Sequence, residues 1–264
     1  MIRETKLPYL MIDLAPDLRL IAALGLVGAL VGSFIAAAVI RWGTGQPIVV
    51  DRSRCDHCAR VLSPAELIPL LSAIISRFRC RTCNAPIDAL HWQIETAACL
   101  VGILAGMVAS GTPAVAGAIF GWQLLALGSI DLRHFILPNL LTAGLAITGL
   151  AASLVGAGVG TNESLVGGLA GFLSLWLVKH GYRRLRGRDG LGGGDPKLFG
   201  GIGCWLGWQT LPHILLGASL IGLIAAVAIF RDGEEPLSSR RLPFGTCLAV
   251  GGFTVWIAFQ MGRI

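Results

Sequence analysis

A chain of 264 residues with 54% hydrophobic residues, only 14% charged residues and 36 glycines is too apolar for an ordinary soluble domain. Its mean hydropathy of +0.72 agrees. The formal net charge of +6 could suggest nucleic acid, but the basic residues fall almost wholly between apolar runs, so membrane topology explains them and no nucleic-acid partner is expected.

The predicted elements follow in chain order. Residues 1–17 mix both charge signs and lack a small-residue cleavage site, so no removable signal peptide is expected. The first span runs from about Leu18 to Ile40, long enough for a hydrocarbon core of roughly 30 Å. Residues 41–91 form a polar interval whose apolar piece, Leu67 to Ser76, is too short to cross and fits a folded insert or re-entrant element.

Seven further spans are drawn over 94–109, 114–130, 139–159, 165–179, 198–211, 214–230 and 244–261, the shortest at the length limit. The expected fold is thus an all-α polytopic membrane protein of about eight transmembrane helices with a cytoplasmic four-cysteine loop. Its segments are residues 1–42, the cysteine-rich domain 43–91 and a membrane domain 92–264. With residue 1 outside, every Lys and Arg except Arg3, Lys6, Arg19 and Arg263 falls in the loops at 41–91, 131–138, 179–197 and 231–243. The positive-inside rule places those loops in the cytoplasm.

Cys55-Asp56-His57-Cys58 and Cys80-Arg81-Thr82-Cys83 form two C-x2-C pairs separated by 21 residues. Four thiolates at this spacing suit tetrahedral zinc, and a reducing compartment disfavours stable disulfides. Redox dithiol chemistry is the alternative. Cys99, Cys204 and Cys247 lie singly in apolar runs and read as packing residues.

Three acids stand at span ends on one membrane face: Glu95, Asp131 and Asp195. Asp195 follows Gly192, Gly193 and Gly194 and precedes Pro196 and Lys197, which makes it either a helix N-cap or a reactive acid in a permissive loop. Asp131 is either a helix-end charge paired with Arg133 or the partner of Asp195. Two carboxylates sharing a site hold one proton between them and can hydrolyse a peptide bond without a covalent intermediate. No serine nucleophile elbow and no H-E-x-x-H metal motif competes.

These residues also carry a family resemblance. GSFIAAAVIR at 32–41, the cysteine pairs, IPLLS at 68–72, HWQIE at 91–95, SIDLRHFILPN at 129–139, GGGDPKLFGGIG at 193–203 and PFGTCLA at 243–249 resemble the bacterial prepilin peptidases, or type IV leader peptidases, among the G-x-G-D membrane aspartyl proteases.

The resemblance implies that Asp131 and Asp195 are the catalytic pair. It also implies that Gly192, Gly193, Gly194 and Lys197 belong to the active-site loop and that Cys55, Cys58, Cys80 and Cys83 bind metal. It implies cleavage of type IV prepilin or pseudopilin precursors after a glycine, at the cytoplasmic side of a bacterial inner membrane. N-methylation with S-adenosylmethionine then follows.

Glu95 is a candidate for that second step or a member of a structural ion pair. Asn139 and Thr246 depart from the family's usual Asp and Pro, as do Ala36-Ala37-Ala38 after Gly-Ser-Phe and Glu66-Leu67 before Ile-Pro from its usual residues there. Two other classes remain: a membrane thiol-disulfide oxidoreductase using the C-x-x-C pairs, and a transporter, which would place its acids near the bilayer midplane.

Overall fold

The computed structural model describes residues 17–42, 54–55, 57–188, 190–231 and 242–262. The N-terminal stretch read as carrying no signal peptide, together with Arg52, Arg240 and Arg241 of the basic loops, lies outside them.

Helix α1, Leu18–Arg41, starts at Asp17, whose Oδ1 accepts the Arg19 amide at 3.0 Å and the Leu20 amide at 3.3 Å. The cysteine module follows, with one 3-10 turn at Pro64–Leu67 and the five-residue α2, Leu71–Ile75. The apolar piece is thus broken into a turn and a short helix rather than a span, with Leu71, Ile74 and Ile75 exposed.

Then come α3, Ala89–Val108; α4, Gly111–His134; α5, Asn139–Leu154; α6, Thr161–Arg186; and α7, Asp195–Leu206. A 3-10 turn at Trp208–Thr210 leads into α8, Leu211–Arg231, and α9 is Phe244–Gln260. Each expected span has its helix. Among the described residues, four stretches, at Leu18–Arg41, Ala89–Val108, Gly111–His134 and Trp208–Ala228, are long and apolar enough to cross a membrane.

Small residues set the packing, as expected where lipid supplies no hydrophobic drive between helices. On α1 and α3, a Cβ at Gly28 would overlap the carbonyl of Ala98, and one at Gly102 would overlap that of Leu24. The same close approach joins α6 to α7 through Gly167 and Gly203. Indole donors lock the layers further: Trp122 Nε1 donates to the Ala98 carbonyl and Trp205 Nε1 to that of Leu145, each at 2.9 Å.

Helix α7 departs from the expected geometry. It has 12 residues, all buried except Lys197, and at 1.5 Å per residue it covers about 18 Å, well short of a roughly 30 Å core. A glycine turn at one of its ends therefore sits at membrane depth, where irregular backbone persists only inside protein. Leu198, Phe199 and Ile202 are fully or almost fully buried around it.

One end of the bundle is stitched together. His134 Nε2 lies 2.9 Å from the Val39 carbonyl, and Arg133 Nη1 donates to Asp88 Oδ2 at 3.2 Å. The last turn of α4 is thereby tied to the end of α1 and the start of α3, the two helices that flank the cysteine module.

Candidate active site and cysteine centre

Asp131 sits in the last turn of α4 and is only 6% exposed. Its Oδ2 accepts the Thr246 amide at 2.9 Å and lies 3.4 Å from the Thr246 hydroxyl. That hydroxyl is 2.8 Å from the Gly128 carbonyl, which can only accept, so its single proton goes there. The amide in the first turn of α9 has no intrahelical partner and is free to serve the carboxylate. Arg133 is paired with Asp88, so the reading of Asp131 as a helix-end charge held by Arg133 fails.

Asp195 is 5% exposed and is the first residue of α7. It is not the N-cap. Gly194 occupies that position and no side chain caps the helix, so the expected capping role is replaced by a different one. The Asp195 carboxylate folds back over its own loop and accepts the Gly192 amide. A Cβ at Gly192 would come within 2.8 Å of Asp195 Oδ2. Gly192, Gly193 and Gly194 are absent from the positive-φ residues, so what glycine supplies here is space for the carboxylate rather than a left-handed backbone.

The two acids, from distant parts of the chain, interact electrostatically across one site. Leu137, between α4 and α5, packs beside both: a Cβ at Gly194 would meet its Cβ at 2.5 Å, and one at Gly245 its Cδ1 at 2.9 Å. A Cβ at Gly245 would also lie 2.8 Å from Asp131 Oδ2.

Lys197 turns away from the pair and donates to Asn139 Oδ1 at 2.6 Å, clamping α7 to α5. The cation that Asp195 feels is Lys179, on α6, whose Nζ lies 3.2 Å from where a Gly193 Cβ would stand. Sequence reasoning missed Lys179, Gly245 and Thr246. The only signal for the last two was the PFGTCLA segment, and Lys179 looked like one more topological charge.

Glu95 is also buried, at 7% exposure, but it joins the cysteine module: its Oε2 accepts the Leu70 amide at 2.8 Å. Leu70 is held at φ +61, a conformation that a branched side chain rarely adopts.

The module brings all four cysteines together. Their Sγ atoms lie within 4.8 Å of one another, and Cys55 and Cys83 are 3.8 Å apart. Tetrahedral zinc with bonds of about 2.3 Å requires sulfur pairs about 3.8 Å apart, so the donors fit.

Each knuckle closes in the same way. The Cys55 amide donates to Arg60 O and the Cys80 amide to Ala85 O, both at 2.9 Å. The residues after the second cysteines, Ala59 and Asn84, take φ +53 and +56. Amides of Cys83 and Thr82 pull the Cys80 thiol down to about 6, which favours the thiolate that a metal needs. The Ala85 amide also pulls Cys83 down, but burial and the neighbouring thiols outweigh it and push Cys83 up to about 11. Beside the knuckles, Arg60 grips Glu66 through both guanidinium nitrogens, at 2.6 and 3.2 Å, and holds that carboxyl down at about 2.

Comparison with known proteins agrees with this geometry. Residues 118–227, which contain both aspartates, match the model of the type IV leader peptidase family. Residues 26–109, which contain the cysteine module, match the bacterial Peptidase A24 N-terminal domain. A protein of Pectobacterium carotovorum subsp. carotovorum named prepilin leader peptidase/N-methyltransferase is 33% identical over 256 residues, covering 87% of this chain and 90% of the relative.

Proteins of the same name from Aeromonas hydrophila and Burkholderia pseudomallei (strain K96243) are 38% and 37% identical. Those matches cover 81% of this chain and 73% of the first relative, and 86% and 81% for the second. No solved structure matches the chain. With family models over both halves and relatives matched nearly end to end, this chain belongs to the type IV leader peptidase family.

Proposed function

We propose that the chain is a prepilin leader peptidase/N-methyltransferase in which Asp131 and Asp195 are the catalytic pair. The observation that carries this reading is the convergence of two buried carboxylates at one end of the bundle, each with its own backbone donor. Nothing in the relatives favours a thiol-disulfide oxidoreductase or a transporter.

Between them the two carboxylates hold one proton. The charged one takes a proton from water as the water oxygen bonds to the scissile carbonyl carbon, and the protonated one donates to the carbonyl oxygen. The tetrahedral intermediate collapses as the C–N bond breaks, and the leaving amine receives the proton taken from water. Gly192, Gly193 and Gly194 leave room for an extended substrate backbone beside Asp195.

The substrates in this reading are type IV prepilins or pseudopilins, cut after the glycine that ends a basic leader. A pilin helix that begins just after that bond would present it at the height of the aspartates. In this reading the same end of the protein faces the cytoplasm at a bacterial inner membrane, which the concentration of Lys and Arg in its loops supports.

Zinc at Cys55, Cys58, Cys80 and Cys83 fits the sulfur spacing and would brace the module. S-adenosylmethionine is the methyl donor, supplying an electrophilic methyl group to the new N-terminal amine. Mass spectrometry of a pilin N-terminus after incubation with purified protein tests the whole reading. Cleavage after glycine plus 14 Da on the new terminus, about the mass of one CH2, is expected of the wild type. Asp131→Asn and Asp195→Asn should each leave the precursor uncut, and full cleavage by either variant refutes the assignment.

A further inference from the structure

Between the cysteine module and the ends of α1 and α3 lies a cavity of about 150 Å³. Five arginines and two glutamates line it, an unusual density of charge for a chain with 14% charged residues. Glu66 is committed to Arg60. Glu95 is the other acid of the lining, with Arg41, Arg54, Arg79 and Arg81 around the wall and Trp92 beside it.

We propose that this cavity binds S-adenosylmethionine by its amino-acid arm and sulfonium, with the adenosine at the mouth. The proposal rests on the methyltransferase reading above and gives that reaction a site. The arm carries a carboxylate, an ammonium and, three bonds from the α-carbon, the sulfonium. Such a ligand needs cations and an anion side by side. Arginine recognises the carboxylate through paired N–H donors, and Glu95 faces the positive groups from a desolvated position where attraction is strong.

The size assigns the part that enters. About 150 Å³ corresponds to roughly five water volumes, enough for the arm and below the roughly 300 Å³ needed to enclose a whole nucleoside ligand. Leu70 supports the same view. Its backbone is strained at φ +61 and its amide is held by Glu95 Oε2, so the carboxylate is oriented from one side where it lines the cavity.

The cavity also borders the residues that hold the peptidase end together, since Ile40 and Ile87 of its lining adjoin Val39 and Asp88. Asp88 and Val39 tie its rim to the last turn of α4, the turn that carries Asp131. The free amine of the cleaved pilin attacks the donor methyl carbon with its lone pair. The S–CH3 bond breaks with both electrons staying on sulfur, the sulfonium becomes a neutral thioether, and the amine releases one proton to water.

Equilibrium binding of tritiated S-adenosylmethionine to the full-length protein in nanodiscs, without any pilin, tests this. Saturable binding is expected, and Glu95→Gln should weaken it tenfold or more. Glutamine still offers Leu70 an acceptor oxygen and removes only the charge, so a purely structural Glu95 predicts no change.

In the wild type, S-adenosylhomocysteine should compete at least tenfold better than 5′-methylthioadenosine, which lacks the amino-acid arm. That comparison holds whether or not the variant folds. Asp131→Asn should bind the donor like wild type, which separates this site from the peptidase assignment. Wild-type affinity in Glu95→Gln, equal competition by the two thioethers, or no saturable binding overturns the proposal.

Discussion

Adding one methyl group at Gly245 or Gly192 perturbs one carboxylate of the proposed catalytic pair at a time. A Cβ at either position stands 2.8 Å from an aspartate oxygen, Asp131 Oδ2 or Asp195 Oδ2, where ordinary contact begins at 3.4 Å. Each carboxylate must therefore move by about 0.6 Å, the gap between those two distances. A misplacement of about 1 Å costs on the order of 100-fold in rate, so a 0.6 Å shift should cost roughly 10- to 20-fold.

Neither glycine has positive φ, so alanine brings no backbone strain, and the loss should appear in kcat with the fold intact. Gly217 on α8 has nothing within 4 Å of its would-be Cβ and is the control. Gly217→Ala should leave cleavage unchanged and raise stability by up to about 1 kcal/mol, as alanine does in a helix. The assay is single-turnover cleavage of a purified prepilin, with thermal melting of each variant. A Gly245→Ala or Gly192→Ala enzyme with kcat within twofold of wild type and an unchanged Tm would refute the reasoning.

Removing the Lys179 charge beside Asp195 with Lys179→Gln should lower kcat about tenfold, and Lys179→Arg should restore most of it. Equal rates for both variants would show that the charge is idle. Cys55→Ser combined with Cys58→Ser should reduce zinc from about one per chain to none by elemental analysis, since a tetrahedral site cannot survive the loss of two of its four thiolates.

Asp88 caps α3 by accepting the Leu90 amide at 2.9 Å, and that bond, then Arg133, lowers its pKa below the usual 3.8. A depressed carboxyl stabilises the fold above its unfolded pKa and loses that contribution as pH falls through its folded value. Asp88→Ala should thus cost about 1 kcal/mol near neutral pH. The Tm gap between wild type and Asp88→Asn should close as pH falls from 6 towards 3, whereas a constant gap would exclude this linkage.

Much of this architecture was legible in the chain because bilayer thickness, backbone satisfaction and charge placement constrain a membrane sequence heavily. The eight apolar runs, the folded insert at Leu67 to Ser76 and the metal spacing of the cysteines each follow from a local rule. Asp131 and Asp195 were singled out because a carboxylate at a span end needs a reason.

Local rules misread what depends on a partner distant in sequence. Asp195 followed by Pro196 has the signature of an N-cap, yet the acid folds over Gly192 and leaves the cap to Gly194. Three consecutive glycines suggest backbone freedom, yet their conformations are ordinary and what matters is the room they leave. Lys197 adjoins Asp195 in sequence but serves Asn139, whereas Lys179 acts on Asp195 through its charge from another helix.

The sequence by itself determined where the apolar helices lie, the polar insert, its four thiols and the two acids, because period, length and hydropathy act over a few residues at a time. Tertiary structure decided which amides hold each acid, which lysine faces Asp195 and where Glu95 sits. Those choices depend on how closely small residues such as Gly28 and Gly102 let helices approach, and that is a property of pairs of helices rather than of any one segment.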